Sequence, residues 1–156
     1  MYSKIFQLEE IPISESKYIT GLAAEHDYFI GSIADSVERT SREDAINNLK
    51  LLSEFGVQVD SNMNGTFLRV TDKEEYFKWD YRLYQKRLKK ALNLSFEDFC
   101  RTDKADNDIY DICSIYEDKF EDYVLFDGIL CTFRYFIRTR DLNRKYYIGG
   151  VLKYHY

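Results

Sequence analysis

The first half of the chain shows apolar spacings that predict a strand followed by a helix. Residues 2–11 mix apolar and polar positions and stop before Pro12, as a strand would. Residues 25–40 have the i, i+3, i+4, i+7 spacing of an amphipathic helix at Ile30, Ile33, Ala34 and Val37.

A second helix is predicted to begin after Ser41, a residue type that favours the N-cap, and to end at Gly56. Its apolar stripe consists of Ile46, Leu49 and Leu52, with Phe55 beside it. The β-prone runs 57–60 and 66–70 flank a polar loop, which predicts a hairpin.

Three further helical segments are predicted between Thr71 and residue 117. Thr71 is the expected N-cap of a long helix that ends near Leu92, and Ser95 is the expected cap of a short helical turn. Residues 105–117 have apolar residues at helical spacing behind an acidic start. The core-facing arc predicted for the long helix consists of Phe77, Tyr81, Tyr84, Leu88 and Leu92.

The last third of the chain predicts a three-stranded meander over residues 120–126, 129–138 and 145–156. Asp127-Gly128 is typical of a type I′ turn, and Gly149-Gly150 is expected to mark a β-bulge. The elements together predict one α+β domain over residues 1–156. An antiparallel sheet, made of the N-terminal strand, the central hairpin and the C-terminal meander, packs against about four helices.

Composition narrows the class of protein. With 45% hydrophobic residues, 14 Tyr and 11 Phe against one Pro, the 156 residues are typical of a well-packed domain rather than a disordered or collagen-like chain. No secretory signal pattern and no run of about 20 apolar residues is present, so we expect a cytosolic protein without a membrane segment. The cysteines, Cys100, Cys113 and Cys131, are odd in number and far apart, which argues against a disulfide framework.

The net charge of −5 conceals strong segregation. Residues 95–128, here called the acidic segment, contain eleven acidic and three basic side chains. Residues 129–156 contain one acidic and six basic side chains. The segments either lie side by side and neutralise one another, or form opposed faces that steer different partners. The acidic residues predicted to bind a partner are Asp103, Asp106, Asp108, Asp111, Glu117, Asp118, Glu121 and Asp122.

Two basic, aromatic stretches are the alternative candidate surface. The helix over 78–90 repeats Lys and Arg every three or four residues, and the predicted strand and turn 134–145 place arginines and an aromatic on one side. If helices cover that strand, however, its aromatic residue becomes core and its arginines pair with the acidic segment. The candidates are Lys78, Trp79, Arg82, Lys86, Arg134, Phe136 and Arg138.

Catalytic motifs are weak. His26 and His155 are far apart in sequence, and no nucleotide-binding or α/β-hydrolase motif is present. An acid-x-Lys pattern, Glu117 with Lys119 and Asp108 upstream, resembles metal-dependent nucleases, but such short patterns arise by chance. We therefore predict no catalytic residue, no cofactor and no bound metal.

Three functional hypotheses remain. The leading one is a small non-enzymatic regulatory or inhibitor protein, bacterial or from a phage. It would act as immunity proteins and phage nucleic-acid mimics do, by binding a protein partner, possibly a basic nucleic-acid-binding one, through an acidic, aromatic-edged surface. The alternatives are nucleic-acid binding through the basic stretches and a metal-dependent nuclease or hydrolase. The oligomeric state is not predicted.

Overall fold

The computed structural model describes residues 2–21, 29–31, 34–101 and 121–155, and its strands form one seven-stranded sheet. The strands are β1 (Tyr2–Glu9), β2 (Ser36–Arg39), β3 (Val57–Asn62), β4 (Gly65–Val70), β5 (Tyr123–Phe126), β6 (Ile129–Thr132) and β7 (Tyr146–His155). The helices are α1 (Arg42–Lys50), α2 (Lys73–Leu92), α3 (Phe96–Phe99) and α4 (Phe133–Thr139), with 3₁₀ turns at Glu15–Lys17 and Leu51–Phe55. The predicted α+β class is confirmed.

Strand β7 organises the sheet. One of its edges pairs antiparallel with β1, while its other edge is shared by β4 near Tyr146 and by β2 near Leu152. The remaining order is β3-β4-β7-β1-β5-β6, in which β1 and β5 are parallel. The predicted C-terminal meander is therefore wrong, because β1 lies between β7 and the β5–β6 hairpin.

The predicted strand over 129–138 is wrong in its second half, where residues 133–139 form α4. Thr132 caps this helix, since its Oγ1 accepts a hydrogen bond from the Tyr135 N–H at 3.2 Å. Phe133, Phe136 and Ile137 are buried at the i, i+3, i+4 positions of one helical face. β-Prone residues become helical here because that spacing lets all three bury together against the sheet.

The helix predicted over 25–40 is wrong in the residues that the structure describes. Residues 36–39 form β2, and Gly31 adopts a positive φ of 91° in a turn. The edge of β7 beyond β4 offers unpaired backbone groups, and the β2 backbone satisfies them. Sheet pairing therefore outweighs the local helical periodicity. The helix predicted over 105–117 lies outside the described residues.

Local signals at element ends are confirmed. The Ser41 hydroxyl accepts from the Asp44 N–H at 3.2 Å, and the Ser95 hydroxyl accepts from the Asp98 N–H at 3.0 Å. Asp127 and Gly128 both have positive φ, 51° and 74°, as a type I′ turn requires. The long helix starts one residue later than predicted, because Asp72 and not Thr71 caps it.

The predicted bulge at Gly149-Gly150 is confirmed by a register shift in the pairing of β1 with β7. The Gln7 side chain fills the space beside it, and its Oε1 accepts from the Gly150 and Ile19 N–H groups, each at 3.0 Å. A Cβ at Gly149 would lie 2.5 Å from that oxygen, so a larger residue there would displace the Gln7 side chain.

Both faces of the sheet are covered. On one face, Phe6, Leu8, Val124 and Tyr146 belong to a core shared with the helices. On the other, Ile5, Phe29, Tyr123, Leu152 and Tyr154 form a smaller cluster.

The predicted core arc of α2 is confirmed at Phe77, which packs partly against the core, and is wrong at Tyr81, Tyr84 and Leu92. Its most buried side chain is Tyr76, and Trp79 packs partly against the core, whereas Tyr81, Tyr84 and Leu92 are exposed. The helix is thus turned so that its Tyr76 face meets the sheet, because the N-terminal half alone packs on the core of the described residues.

Candidate functional site

A pocket of about 240 Å³ lies between α2, α4, α1 and the β1–β5 part of the sheet, and it is here called the α2 pocket. Its walls and base are mainly apolar or aromatic, from Phe6, Leu49, Leu52, Tyr76, Trp79, Leu83 and Phe133. Its polar groups are Asn48, Asp80, Tyr84, Arg87, Glu121, Asp122 and Arg134. A small apolar pocket with a few polar groups is the usual form of a binding site.

Arg134 holds two carboxylates at the polar end of the α2 pocket. Its Nε and Nη2 donate to the two oxygens of Asp80 at 2.7 and 3.2 Å, and Nη2 also pairs with Glu121 Oε1. Burial by itself would lower the pKa of the Arg134 guanidinium, but its hydrogen bond to Asp80 and the nearby Glu121 charge raise the pKa overall. The three side chains are only 15–27% exposed, so water screens them weakly.

Tyr76 contributes a buried hydroxyl to the same end. The residue is 5% exposed, and no described residue forms a hydrogen bond with its Oη. Burial first, and then the charges of Asp80 and Glu121, raise its pKa. The phenol therefore stays protonated and faces the carboxylates without a partner.

Asp122 is a half-buried acid that also lines the pocket. Its Oδ1 accepts the Lys4 N–H at 2.8 Å, which fixes the side chain against β1. Burial raises the Asp122 pKa more strongly than that hydrogen bond lowers it. Its backbone carbonyl accepts the Phe133 N–H at 2.7 Å, so the same residue also holds the start of α4.

The aromatic wall is rigid because its rings pack on one another. Trp79 stacks on Phe55 with ring centroids 5.4 Å apart and an interplanar angle of 23°. Tyr76 contacts both Trp79, at 5.6 Å, and Phe133, at 6.1 Å. At the rim, Tyr84 is 40% exposed and Leu83 is 37% exposed, which leaves the mouth open.

The predicted acidic residues divide into two groups. Glu121 and Asp122 line the α2 pocket. The other predicted acidic residues, together with the Asp108, Glu117 and Lys119 of the hydrolase hypothesis, lie outside the described residues. Within the described ranges, no group of three His, Cys, Asp or Glu side chains is placed to hold a metal ion.

The predicted basic and aromatic residues do not form one surface. Lys78 pairs with Glu74 and Glu75 at 3.0 and 2.9 Å, and the hydrogen bonds that its ammonium group donates to Glu75 and Glu74 raise its pKa. Arg134 lies in the α2 pocket, with Trp79 in its wall. Because α4 is a helix, the proposed arrangement of arginines around Phe136 on a sheet face is wrong.

Phe136 is fully buried, and the Arg138 guanidinium lies 5.3 Å from the centre of the Phe77 ring. The sequence also allowed that Phe136 is core and that the arginines pair with the acidic segment. The buried Phe136 and the contact of Arg134 with Glu121 agree with that alternative.

Arg82, Lys86 and Lys89 form a separate basic stripe on α2. With about 100° between successive helix residues, this stripe faces away from Asp80 and the α2 pocket. All three side chains are exposed, and none forms an ion pair within the described part of the chain. Arg87, by contrast, lies at the pocket rim.

Sequence reasoning missed Tyr76 and Asp80. Both lie outside the arc of α2 that was predicted to face the core. A usable signal was present, since Asp80 stands four residues after Tyr76 and three before Leu83, which places an acid within an apolar face. Such an acid needs a buried partner, and Arg134 is that partner.

A second cavity, of about 460 Å³, lies beside the β7 bulge and is lined by Tyr18, Arg39 and Arg42. Arg42 donates to the carbonyl oxygens of Gly149 at 2.8 Å and Ile148 at 2.6 Å. Its guanidinium is therefore committed to the bulge, which gives it a structural role.

No helix among the described residues combines the length and apolarity needed to cross a lipid bilayer. No protein-family model, curated protein or solved structure matches the chain.

Proposed function

We propose that this protein is a non-enzymatic regulatory or inhibitor protein that binds a basic macromolecular partner through an acidic, aromatic-edged surface, in the cytosol. The observation that carries the proposal is the α2 pocket, where Asp80, Glu121 and Asp122 are surrounded by aromatic walls and open to solvent beside Tyr84. A desolvated pocket edged by aromatic rings is typical of the centre of a protein interface.

The acidic segment adds long-range attraction to this local site. Glu121 and Asp122 belong to that segment, so its excess of eleven acidic over three basic residues adjoins the pocket in the chain. A field of one sign accelerates encounter with a partner of the opposite sign and falls with salt. The partner class that fits is a protein with a basic, nucleic-acid-binding surface.

The proposal is tested with two variants of equal net charge. Asp106→Asn/Asp108→Asn/Asp111→Asn removes three charges from the acidic segment. The control, Asp35→Asn/Glu43→Gln/Glu54→Gln, removes three exposed charges that do not line the pocket. The probe is a fluorescently labelled nona-arginine peptide titrated by anisotropy at about 0.15 M salt. We expect the first variant to bind clearly more weakly than the control, and equal losses would reduce the effect to net charge and overturn the proposal.

Nucleic-acid binding is the second candidate, and the basic stripe of Arg82, Lys86 and Lys89 favours it. None of the three residues lines the α2 pocket, so the two functions would use different surfaces and can be tested with different variants. Arg82→Gln/Lys86→Gln should abolish a gel shift of single-stranded RNA at low salt, whereas Lys17→Gln/Arg39→Gln should not. The absence of any shift with the unmodified protein would reject this candidate.

A further inference from the structure

We propose that the α2 pocket binds one arginine side chain of the partner, with the guanidinium at the polar end and the stem between Trp79 and Leu83. This inference rests on the proposed function, because it names the group by which a basic partner would be recognised. The inference goes beyond the proposed function because it assigns a single side chain of the partner to a single pocket.

The polar end holds acceptors that the fold leaves unused. The hydroxyl oxygen of Tyr76 has no partner among the described residues. Asp122 uses Oδ1 for the Lys4 N–H, and its Oδ2 forms no hydrogen bond with the described chain. Both residues line the pocket, so the N–H groups of an entering donor can replace water at these two oxygens.

The balance of charge in the pocket favours a cation. Arg134 pairs with Asp80 and Glu121, whereas no ion pair among the described residues includes the carboxylate of Asp122. Arg87 stands at the rim, where its exposed side chain is screened by water. A second cation at the polar end would therefore meet the half-buried carboxylate of Asp122.

The shape and lining of the pocket favour a guanidinium over an ammonium group. Guanidinium is planar and weakly hydrated and stacks on aromatic rings, whereas an ammonium group is compact and strongly hydrated. Trp79 and Tyr76 supply the rings, and Phe55 holds Trp79 in place from behind. The volume of about 240 Å³ lies below the range of roughly 300–1,000 Å³ for drug-sized ligands, which matches one side chain.

The experiment uses Trp79, the single tryptophan of the chain, as a fluorescent reporter in the pocket wall. The full-length protein is titrated with the N-acetyl amides of arginine, lysine, citrulline and glutamate. Citrulline is the decisive control, because it keeps the planar shape of arginine and removes its charge. We expect a saturable change with the arginine amide, a weaker one with lysine and none with citrulline or glutamate.

Variants then locate the site. Asp122→Asn and Tyr76→Phe each preserve the shape of the side chain and should each weaken arginine-amide binding, the first by about tenfold or more. Arg87→Gln removes the competing rim cation and should strengthen binding, whereas Arg82→Gln on the basic stripe should change nothing. Circular dichroism and melting curves confirm that each variant is folded.

The inference is overturned if citrulline binds as well as arginine, if the glutamate amide binds instead, or if neither pocket variant changes the affinity. A glutamate response weakened by Arg87→Gln would identify an anion site on Arg87 and Arg134. The nona-arginine titration tests the proposed function independently of the arginine pocket. If nona-arginine binding depends on the acidic segment but not on Asp122 or Tyr76, only the arginine pocket is rejected.

Discussion

Replacing Arg134 with Met tests whether the fold depends on the cation at the polar end of the α2 pocket. The substitution keeps an apolar stem and leaves Asp80 and Glu121 facing each other without their guanidinium. Breaking a fully buried ion pair costs about 3–5 kcal/mol, and an exposed one costs at most about 1 kcal/mol. Because the three side chains are 15–27% exposed to solvent, we expect an intermediate loss of about 2–4 kcal/mol in the free energy of unfolding.

The assay is urea unfolding followed by circular dichroism. Arg144→Met, which breaks exposed contacts with Glu10 and Asp141, is the matched control and should destabilise the protein clearly less than Arg134→Met.

A rescue variant separates charge from packing. Arg134→Met combined with Asp80→Asn and Glu121→Gln removes all three charges and should recover most of the lost stability. A loss of less than about 0.5 kcal/mol in Arg134→Met, or no recovery in the triple variant, would refute the reasoning that the uncompensated carboxylates cause the loss.

Three other predictions follow from local geometry. Gly56→Ala should lower the free energy of unfolding by more than about 1 kcal/mol in urea titrations, because Gly56 has a φ of 78° and the new Cβ would lie 2.0 Å from the Asp72 carbonyl oxygen. Asp72→Ala should cost about 1 kcal/mol by the same assay, because its Oδ1 caps α2, whereas Thr71→Ala should cost less; equal losses would contradict this capping role. Because burial raises the Asp122 pKa and a cation prefers the ionised carboxylate, arginine-amide affinity measured through Trp79 should fall as the pH drops from about 7 to about 5. Asp122→Asn should remove that pH dependence; among the described residues, the charged groups around this site are Lys4, Asp80, Arg87, Glu121 and Arg134.

Short-range signals in the sequence predicted element ends well. Ser41, Gly56 and Asp127-Gly128 each act through hydrogen bonds or dihedral angles within a few residues, so their outcome depends little on the rest of the chain. The α+β class could be predicted from the sequence for the same reason. Pattern and turn residues determine how many helices and strands form.

Only part of the candidate site could be predicted from the sequence. Glu121, Asp122, Trp79 and Arg134 were chosen for charge or aromatic character, and the fold brings all four to one pocket. They had been assigned to opposed surfaces, because sequence shows that a residue is charged but not which charge it meets. Tyr76, which completes the polar end, was not chosen at all.

The sequence by itself determined several element ends, including Ser41, Gly56 and the Asp127-Gly128 turn, and the segregation of charge along this chain. Only the tertiary structure decided that residues 36–39 pair with β7, that residues 133–139 coil against the sheet, and that α2 turns its Tyr76 face inward. In each case two local conformations suited the same residues. Backbone pairing at a sheet edge or burial of apolar side chains from distant segments selected one of them, and those energies exist only once the chain has folded.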